Sequence, residues 1–224
     1  LLQPPEFLIW ERWFHAVACG KGLYVEIGTT GEVLKQASSA ARFYQASLGW
    51  QSLLLLPDAA DLPSLKQQLP STHLYTGTLC ARSQDNWTLA QVRKRGGSST
   101  AQLVHPKSHK ATRQTASACH WLPALLSLHH LHCIDYLNLN LEGSEADMVA
   151  AVPWDRLTVR IVQLRMHFGK EGPTQHEAAI SMSEQMRRHQ YRFAGNISAE
   201  PSEEMMGFIF ESRERRAQCH LLQQ

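Results

Sequence analysis

The feature that most constrains this chain is a short apolar run followed by two closely spaced glycines. It reads Leu23-Tyr-Val-Glu-Ile-Gly-Thr-Thr-Gly31. The run is partly β-branched, which is typical of a parallel strand that is covered on both faces. Gly28 and Gly31 allow a tight turn that lets a ligand approach main-chain N–H groups, and Glu26 stands where open α/β sheets bind ligands. The pattern fits a nucleotide-binding turn, and it equally fits an ordinary turn after a strand.

A second strand-to-turn segment lies far downstream, Ile134-Asp-Tyr-Leu-Asn-Leu-Asn-Leu-Glu-Gly-Ser-Glu145. The 224 residues between the termini are enough for one α/β domain with a proper core. The net charge of +2 gives no indication of a nucleic-acid partner. No apolar stretch is long enough to span a membrane, and the chain begins at Leu1. We therefore expect a membrane anchor only if a preceding segment supplies it.

These segments resemble the FkbM-type methyltransferase domain, which binds S-adenosylmethionine (SAM). That family typically reads "VEIGAxDG" at its first strand, "LGWxGLLIEPDP" at its second and "IDFLxLDVEGAE" at its fourth. The matching stretches here are Val25-Glu-Ile-Gly-Thr-Thr-Gly31, Leu48-Gly-Trp-Gln-Ser-Leu-Leu-Leu-Leu-Pro-Asp58 and the Ile134 segment. The resemblance covers residues 20–211. Val152-Pro-Trp-Asp155, followed by an apolar strand, is similar to the animal branch with its insect Star-type proteins.

The resemblance implies an α/β fold of the Rossmann-like, doubly wound class I SAM-methyltransferase type. Its seven-stranded, mostly parallel sheet has helices on both faces. Residues 1–224 would form one domain, with an N-terminal helical segment at 1–20 and an irregular excursion on the ligand side at 82–118. The first strand should lie centrally beside the fourth. We predict strands near 23–27, 52–56, 73–77, 134–140, 159–164, 191–194 and 206–211.

The resemblance also implies which residues bind SAM and which act on its acceptor. The cradle for its methionine end would be Glu26, Gly28, Thr29, Thr30 and Gly31. In the family an acid at the end of the second strand holds the ribose. Leu56 stands at that position here, and Asp58, two residues further on, is the alternative. Asn140 and Glu142 would be the catalytic residues.

Four ligand-facing positions depart from the family pattern, namely Leu56, Asn140, Arg165 and the run Lys35-Gln-Ala37. Asn140 keeps the shape of the usual aspartate and loses its charge. The departures predict a weakly or non-catalytic protein, and the resemblance to the Star-type branch implies that it belongs to the secretory pathway. Its role, by resemblance, is trafficking or export of a cargo protein that it binds. The alternative is an active SAM-dependent O-methyltransferase with a diverged pocket.

Cysteines and glycosylation sequons bear on the compartment. The chain has five cysteines and the sequons Asn86-Trp-Thr88 and Asn196-Ile-Ser198. With the resemblance, they favour the lumen of the endoplasmic reticulum or Golgi, or the extracellular space, over the cytoplasm. The resemblance also implies a Cys80–Cys119 disulfide, with Cys19, Cys133 and Cys219 unpaired. Two free thiols at positions 80 and 119 are the alternative.

A histidine-rich stretch, His129-His-Leu-His132, is the remaining candidate for chemistry. Its spacing suggests a metal, but apart from the adjacent Cys133 no acid or thiolate completes a known ligand set. A polar loop is the other interpretation, and we expect no metal.

Overall fold

The computed structural model describes residues 5–15, 22–28, 39–56, 62–79, 88–93, 99–104, 113–115, 119–140, 149, 152–167, 175–197 and 205–213. Its strands, in chain order, are β1 (Leu23–Ile27), β2 (Gln51–Leu56), β3 (Thr72–Thr76), β4 (Thr78–Leu79), β5 (Thr88–Arg93), β6 (Ser99–Val104), β7 (Arg113–Thr115), β8 (Cys119–His120), β9 (Cys133–Asn140), β10 (Thr158–His167), β11 (Tyr191–Ile197) and β12 (Met205–Ser212).

Seven of these strands form one sheet in the order β11-β12-β10-β9-β1-β2-β3. Strands β3, β2, β1, β9 and β10 run parallel, and β12 and β11 close the sheet as antiparallel strands. The register pairs Tyr24 with Tyr136 and Glu26 with Asn138. All seven predicted strands are therefore present, and the predicted pairing of the first strand with the fourth is confirmed.

Helices cover both faces of this sheet. The helices whose bounds lie within the described part of the chain are α1 (Pro5–Ile9, continued by the π-helical Trp10–Phe14), α2 (Ala40–Arg42, continued by the π-helical Phe43–Ser47), α3 (Leu62–Gln68), α4 (Leu122–Leu128) and α5 (Gln175–Arg188). Side chains of α1, α2 and α3 pack on one face, which we call the α1 face. Side chains of α4 and α5 pack on the other, the α4 face. The two layers confirm the doubly wound α/β class.

The two faces differ in the chemistry of their cores. The α4 face is built from aliphatic residues of the central strands, such as Val25, Leu55 and Leu137. The α1 face is rich in rings, with Tyr24 stacked on Tyr44 at 5.1 Å between centroids and Tyr44 4.8 Å from Trp50. The strands carry these two patterns at alternate positions, because successive side chains of a strand point to opposite faces.

Residues 82–118 were predicted to be irregular, and that prediction is wrong for the part that the structure describes. Strands β6, β5 and β7 form a three-stranded antiparallel sheet in that order. Strands β4 and β8, which flank residues 82–118, form a separate parallel pair. The strands Thr88–Arg93 and Ser99–Val104 each consist of three polar and three apolar residues, without a continuous apolar run of strand length. Their backbone groups are satisfied by one another in a small sheet, which does not require a continuous apolar run.

Cys133, predicted to be unpaired, is disulfide-bonded. It is the first residue of β9 and is 2% exposed. The other four cysteine side chains lie outside the described residues, so the Cys80–Cys119 bridge stays a prediction. Among the described residues, no helix is both long and apolar enough to cross a membrane.

Candidate cofactor site at the carboxyl ends of the central strands

The turn after β1 has the backbone geometry that the sequence predicts. Gly28 has φ +88°, in the left-handed region where glycine is favoured. Its N–H donates to the carbonyl of Leu55 on β2 at 3.0 Å, which fixes the start of the turn against the neighbouring strand. Thr29, Thr30 and Gly31, the rest of the predicted cradle, lie outside the described residues.

Glu26 lies at the predicted place and is enclosed by hydrogen bonds. Its side chain is on the α1 face and the residue is 3% exposed. The Tyr24 hydroxyl donates to Oε2 at 2.8 Å, and Nδ2 of Asn138 lies 3.1 Å from both Oε1 of Glu26 and the Tyr24 oxygen. These contacts tie β1 to β9 and hold the carboxylate within the protein.

The protonation of Tyr24 follows from the same arrangement. Burial raises the pKa of Tyr24 well above its usual value of 10.0, and the charges of Glu26 and Tyr136 raise it further. The positive charge of Arg165 and the hydrogen bond from Asn138 act in the opposite direction. The phenol therefore keeps its proton at neutral pH and serves as a donor to the Glu26 carboxylate.

Asn140 ends β9, and Arg165, two residues before the end of β10, lies beside it. The register of β9 and β10 pairs them, and both residues are half-buried. The charge of Arg165 reaches Tyr24 on β1. This end of the sheet thus presents an amide and a guanidinium where the family resemblance implied two acids. Glu142 lies outside the described residues, so its catalytic role stays a prediction.

Leu56 is placed in the core of the α1 face. It ends β2, is 1% exposed and packs in the cluster that includes Leu54, Leu65 and Tyr136. Its carbonyl accepts a hydrogen bond from the N–H of Gly77 at 2.7 Å. The side chain offers no polar atom to a ribose, so its predicted cofactor contact stays untested. Asp58, the alternative acid, lies outside the described residues.

Comparison with known proteins supports the architecture. No protein-family model matches the sequence, and no curated protein sequence matches it. A fibrillarin pre-rRNA processing protein from Methanococcus jannaschii is similar in structure, with a TM-score of 0.51 and 9% identity over 88% of this chain and 69% of that one. Fibrillarin from Aeropyrum pernix, in complex with natively bound SAM, has a TM-score of 0.50 and 11% identity over 87% and 67%.

The fold is that of the class I SAM-dependent methyltransferases. At such low identity the similarity shows the fold alone, and the chemistry has to be inferred from the residues of this chain. The described residues meet the needs of SAM in one respect, the glycine turn after β1. Within this described part of the sheet, Glu26 is the only carboxylate at the carboxyl ends of the parallel strands, and it is enclosed.

The polar partners Asn138 and Gln163 were not predicted as site residues. Asn138 is buried beside Glu26 on the adjacent strand β9, and Gln163 is buried beside Asn138 on β10. The Tyr136 hydroxyl donates to Oε1 of Gln163. The signal was available, because polar residues recur at every second position of otherwise apolar strands. The period-two sets are Tyr24 and Glu26; Tyr136, Asn138 and Asn140; Gln163 and Arg165.

A second polar cluster lies on β3, at the opposite edge of the sheet from β11. The rings of His73 and His129 stack with 3.6 Å between centroids, and the Tyr75 hydroxyl forms a hydrogen bond with Nε2 of His129. Nε2 of His120 donates to the carbonyl of Thr76 at 2.9 Å. No group of three or more possible metal ligands occurs among the residues that the structure describes.

Proposed function

We propose that this chain is a methyltransferase-fold protein of the secretory pathway that binds SAM weakly and methylates little or nothing. The observation that carries the proposal is the enclosure of Glu26 by Tyr24 and Asn138. A carboxylate that is committed to two internal donors and is 3% exposed contributes little to a ligand. Leu56, buried at the end of β2, supplies no replacement for it.

Charge supports the same proposal. SAM carries a positive sulfonium, and Arg165 places a fixed positive charge at this end of the sheet. Asn140 beside it contributes no negative charge. A charge-assisted hydrogen bond is worth about 1.5–3 kcal/mol. The loss of a two-pronged ribose contact would therefore weaken SAM binding by roughly 100-fold, at about 1.4 kcal/mol per decade.

The compartment is proposed from the disulfide at Cys133. Structural disulfides persist in secreted and luminal proteins and are rare in the reducing cytosol. The disulfide therefore supports a location in the lumen of the endoplasmic reticulum or Golgi, or outside the cell, over one in the cytoplasm. The trafficking or cargo-export role and the cargo partner follow from the resemblance to the Star-type branch of the FkbM family. They would be tested by depleting the protein and measuring the rate at which secreted proteins leave the cell.

The alternative is an active SAM-dependent O-methyltransferase, and the turn at Gly28 favours it. That turn keeps the left-handed φ that a backbone cradle needs. In this case Asp58 would hold the ribose and Glu142 would lie near the acceptor.

The deciding experiment is isothermal titration of SAM into the wild type and into Leu56→Glu/Asn140→Asp. The proposal predicts weak binding by the wild type and at least tenfold tighter binding by the variant. If the buried glutamate unfolds the protein, Asn140→Asp alone is tested instead, because position 140 is half-buried. Leu56→Gln is the control that changes the size and polarity of the side chain without adding charge. Micromolar binding by the wild type, with release of S-adenosylhomocysteine in the presence of an acceptor, would establish the alternative.

A further inference from the structure

The edge strand β11 carries a half-exposed phenylalanine close to a glycosylation sequon. Phe193 is 48% exposed. Few other large apolar side chains among the described residues are exposed to solvent. Asn196, three residues on, is exposed and begins the sequon Asn196-Ile-Ser198. The strand ends the sheet order, so one of its two edges has no neighbouring strand within the seven-stranded sheet.

A β-bulge brings these two side chains to the same face. Residues three apart in a regular strand point to opposite faces. Here the register pairs Phe193 with Phe210 and Asn196 with Phe208, and the extra residue lies between Phe193 and Gly195. Residues opposite one another in an antiparallel pair share a face, so Phe193 and Asn196 both lie on the α4 face. They are two register steps apart, about 7 Å along the strand.

The Phe193 ring packs on one side against the rings of Phe208 and Phe210. Its centroid lies 5.8 Å from that of Phe210, at an interplanar angle of 64°, and 6.4 Å from that of Phe208. These contacts fix one side of the ring and leave the rest of it to solvent. The underside of a pyranose sugar carries several C–H groups, and such a surface packs well on the negative face of an aromatic ring.

We propose that Asn196 carries an N-linked glycan whose first N-acetylglucosamine packs on the Phe193 ring. Nδ2 of Asn196 bonds to C1 of the N-acetylglucosamine that joins an oligosaccharide to a lipid diphosphate. The C1–O bond to the diphosphate breaks, the lipid diphosphate leaves with the electron pair, and the amide loses one proton. The attached sugar covers the exposed ring and also shields the edge strand from pairing with another chain.

The inference rests on the proposed luminal compartment, and the experiment separates the two. The chain is secreted from animal cells behind a cleavable signal peptide, in an Asn86→Gln background that leaves one sequon. We expect one glycan, removed by peptide N-glycosidase and absent in Ser198→Ala, which leaves Asn196 itself unchanged. A secreted, folded chain without a glycan at Asn196 overturns the inference whatever the native compartment is. A glycan on the secreted chain but none on the protein from its own cells overturns the compartment alone.

Packing on Phe193 has its own readout, the melting temperature of defined glycoforms. High-mannose protein is trimmed with an endoglycosidase that leaves a single N-acetylglucosamine, or is stripped completely. We expect the protein with a single sugar to melt about 2–4 °C above the unglycosylated Ser198→Ala protein. A shift of this size corresponds to a small gain in unfolding free energy for a domain of this length. Phe193→Ser should abolish this difference and Phe193→Tyr should retain it. An equal stabilisation in Phe193→Ser would overturn the packing.

Discussion

A Cβ atom on Gly22 would lie 2.1 Å from Cδ2 and Cε2 of Trp50. Trp50 is 1% exposed and is packed among Phe14 and Tyr44, so its ring has nowhere to move. The backbone here is also fixed, since the N–H of Gln51 donates to the carbonyl of Gly22 at 3.0 Å. Only glycine therefore fits at position 22, immediately before the central strand β1.

We therefore expect Gly22→Ala to lower the free energy of unfolding by about 1–3 kcal/mol, the usual range for an overpacked core. Urea denaturation measures this change. The matched test is the same substitution in a Trp50→Leu background, where the smaller side chain leaves room for the methyl group. The cost of Gly22→Ala should then be clearly smaller, and equal costs in the two backgrounds would refute the steric explanation.

Arg192 and Glu211 predict a second, smaller effect on stability. The carboxylate of Glu211 is buried and accepts from Nη2 of Arg192 at 2.7 Å and from Nε at 3.2 Å. Hydrogen bonds to a charged group are worth more than neutral ones, and the 55% exposure of the arginine side chain reduces the gain. We expect Arg192→Ala to cost about 1–2 kcal/mol in a chemical denaturation experiment. The control is Asp155→Ala, which removes an exposed pair at 3.9 Å and should cost less than about 0.5 kcal/mol.

The central architecture could be predicted because the central strands β1, β2 and β9 are short, mostly apolar runs. Gln51–Leu56 and Cys133–Asn140 are buried on both faces, which is the environment that such runs specify. The sheet of β5, β6 and β7 could not be predicted in the same way. Its two longer strands mix three apolar with three polar residues and its third strand is wholly polar, so no run specifies a buried strand.

The candidate site could be predicted only in part, for a different physical reason. The glycine turn depends on local backbone conformation, and the residue type at Gly28 reveals it. The enclosure of Glu26 depends on which strand lies next to β1 and in which register, so Asn138 becomes its partner only through the fold. The disulfide of Cys133 was missed because pairing among five cysteines is not determined by their sequence positions.

The His73–His129 stack predicts a loss of stability in mild acid. Burial lowers the pKa of His73 below its usual value of 6.5, and the charge of His129 lowers it further. Below pH 6.5 the unfolded chain binds a proton that the folded protein still excludes, so the free energy of unfolding falls as the pH falls. The loss levels off once the pH is below the folded-state pKa.

An NMR titration of the His73 ring protons measures this directly. We expect a midpoint below 6.5, and in His129→Phe, which keeps a stacked ring without its charge, a midpoint that moves part of the way back. Burial is the larger cause, so the midpoint should stay below 6.5 in the variant. In His73→Phe the stability between pH 5 and 7 should depend less on pH. A wild-type midpoint at or above 6.5 would show that the ring is hydrated.

The disulfide at Cys133 gives the last prediction, on thiol content and stability together. With five cysteines and one bridge formed by Cys133, at most three thiols remain, since five minus two is three. Denatured, unreduced protein should therefore react with a thiol reagent at three positions or fewer. Reduction should lower the free energy of unfolding by about 2–5 kcal/mol, because the bridge restricts the unfolded chain.

Cys133→Ser should show the same lower stability and no further response to reductant. Replacing the other four cysteines with serine one at a time identifies the partner as the variant in which Cys133 becomes reactive. Five reactive thiols in protein isolated without reductant from its own cells would contradict the bridge and remove the support that it gives to the proposed compartment.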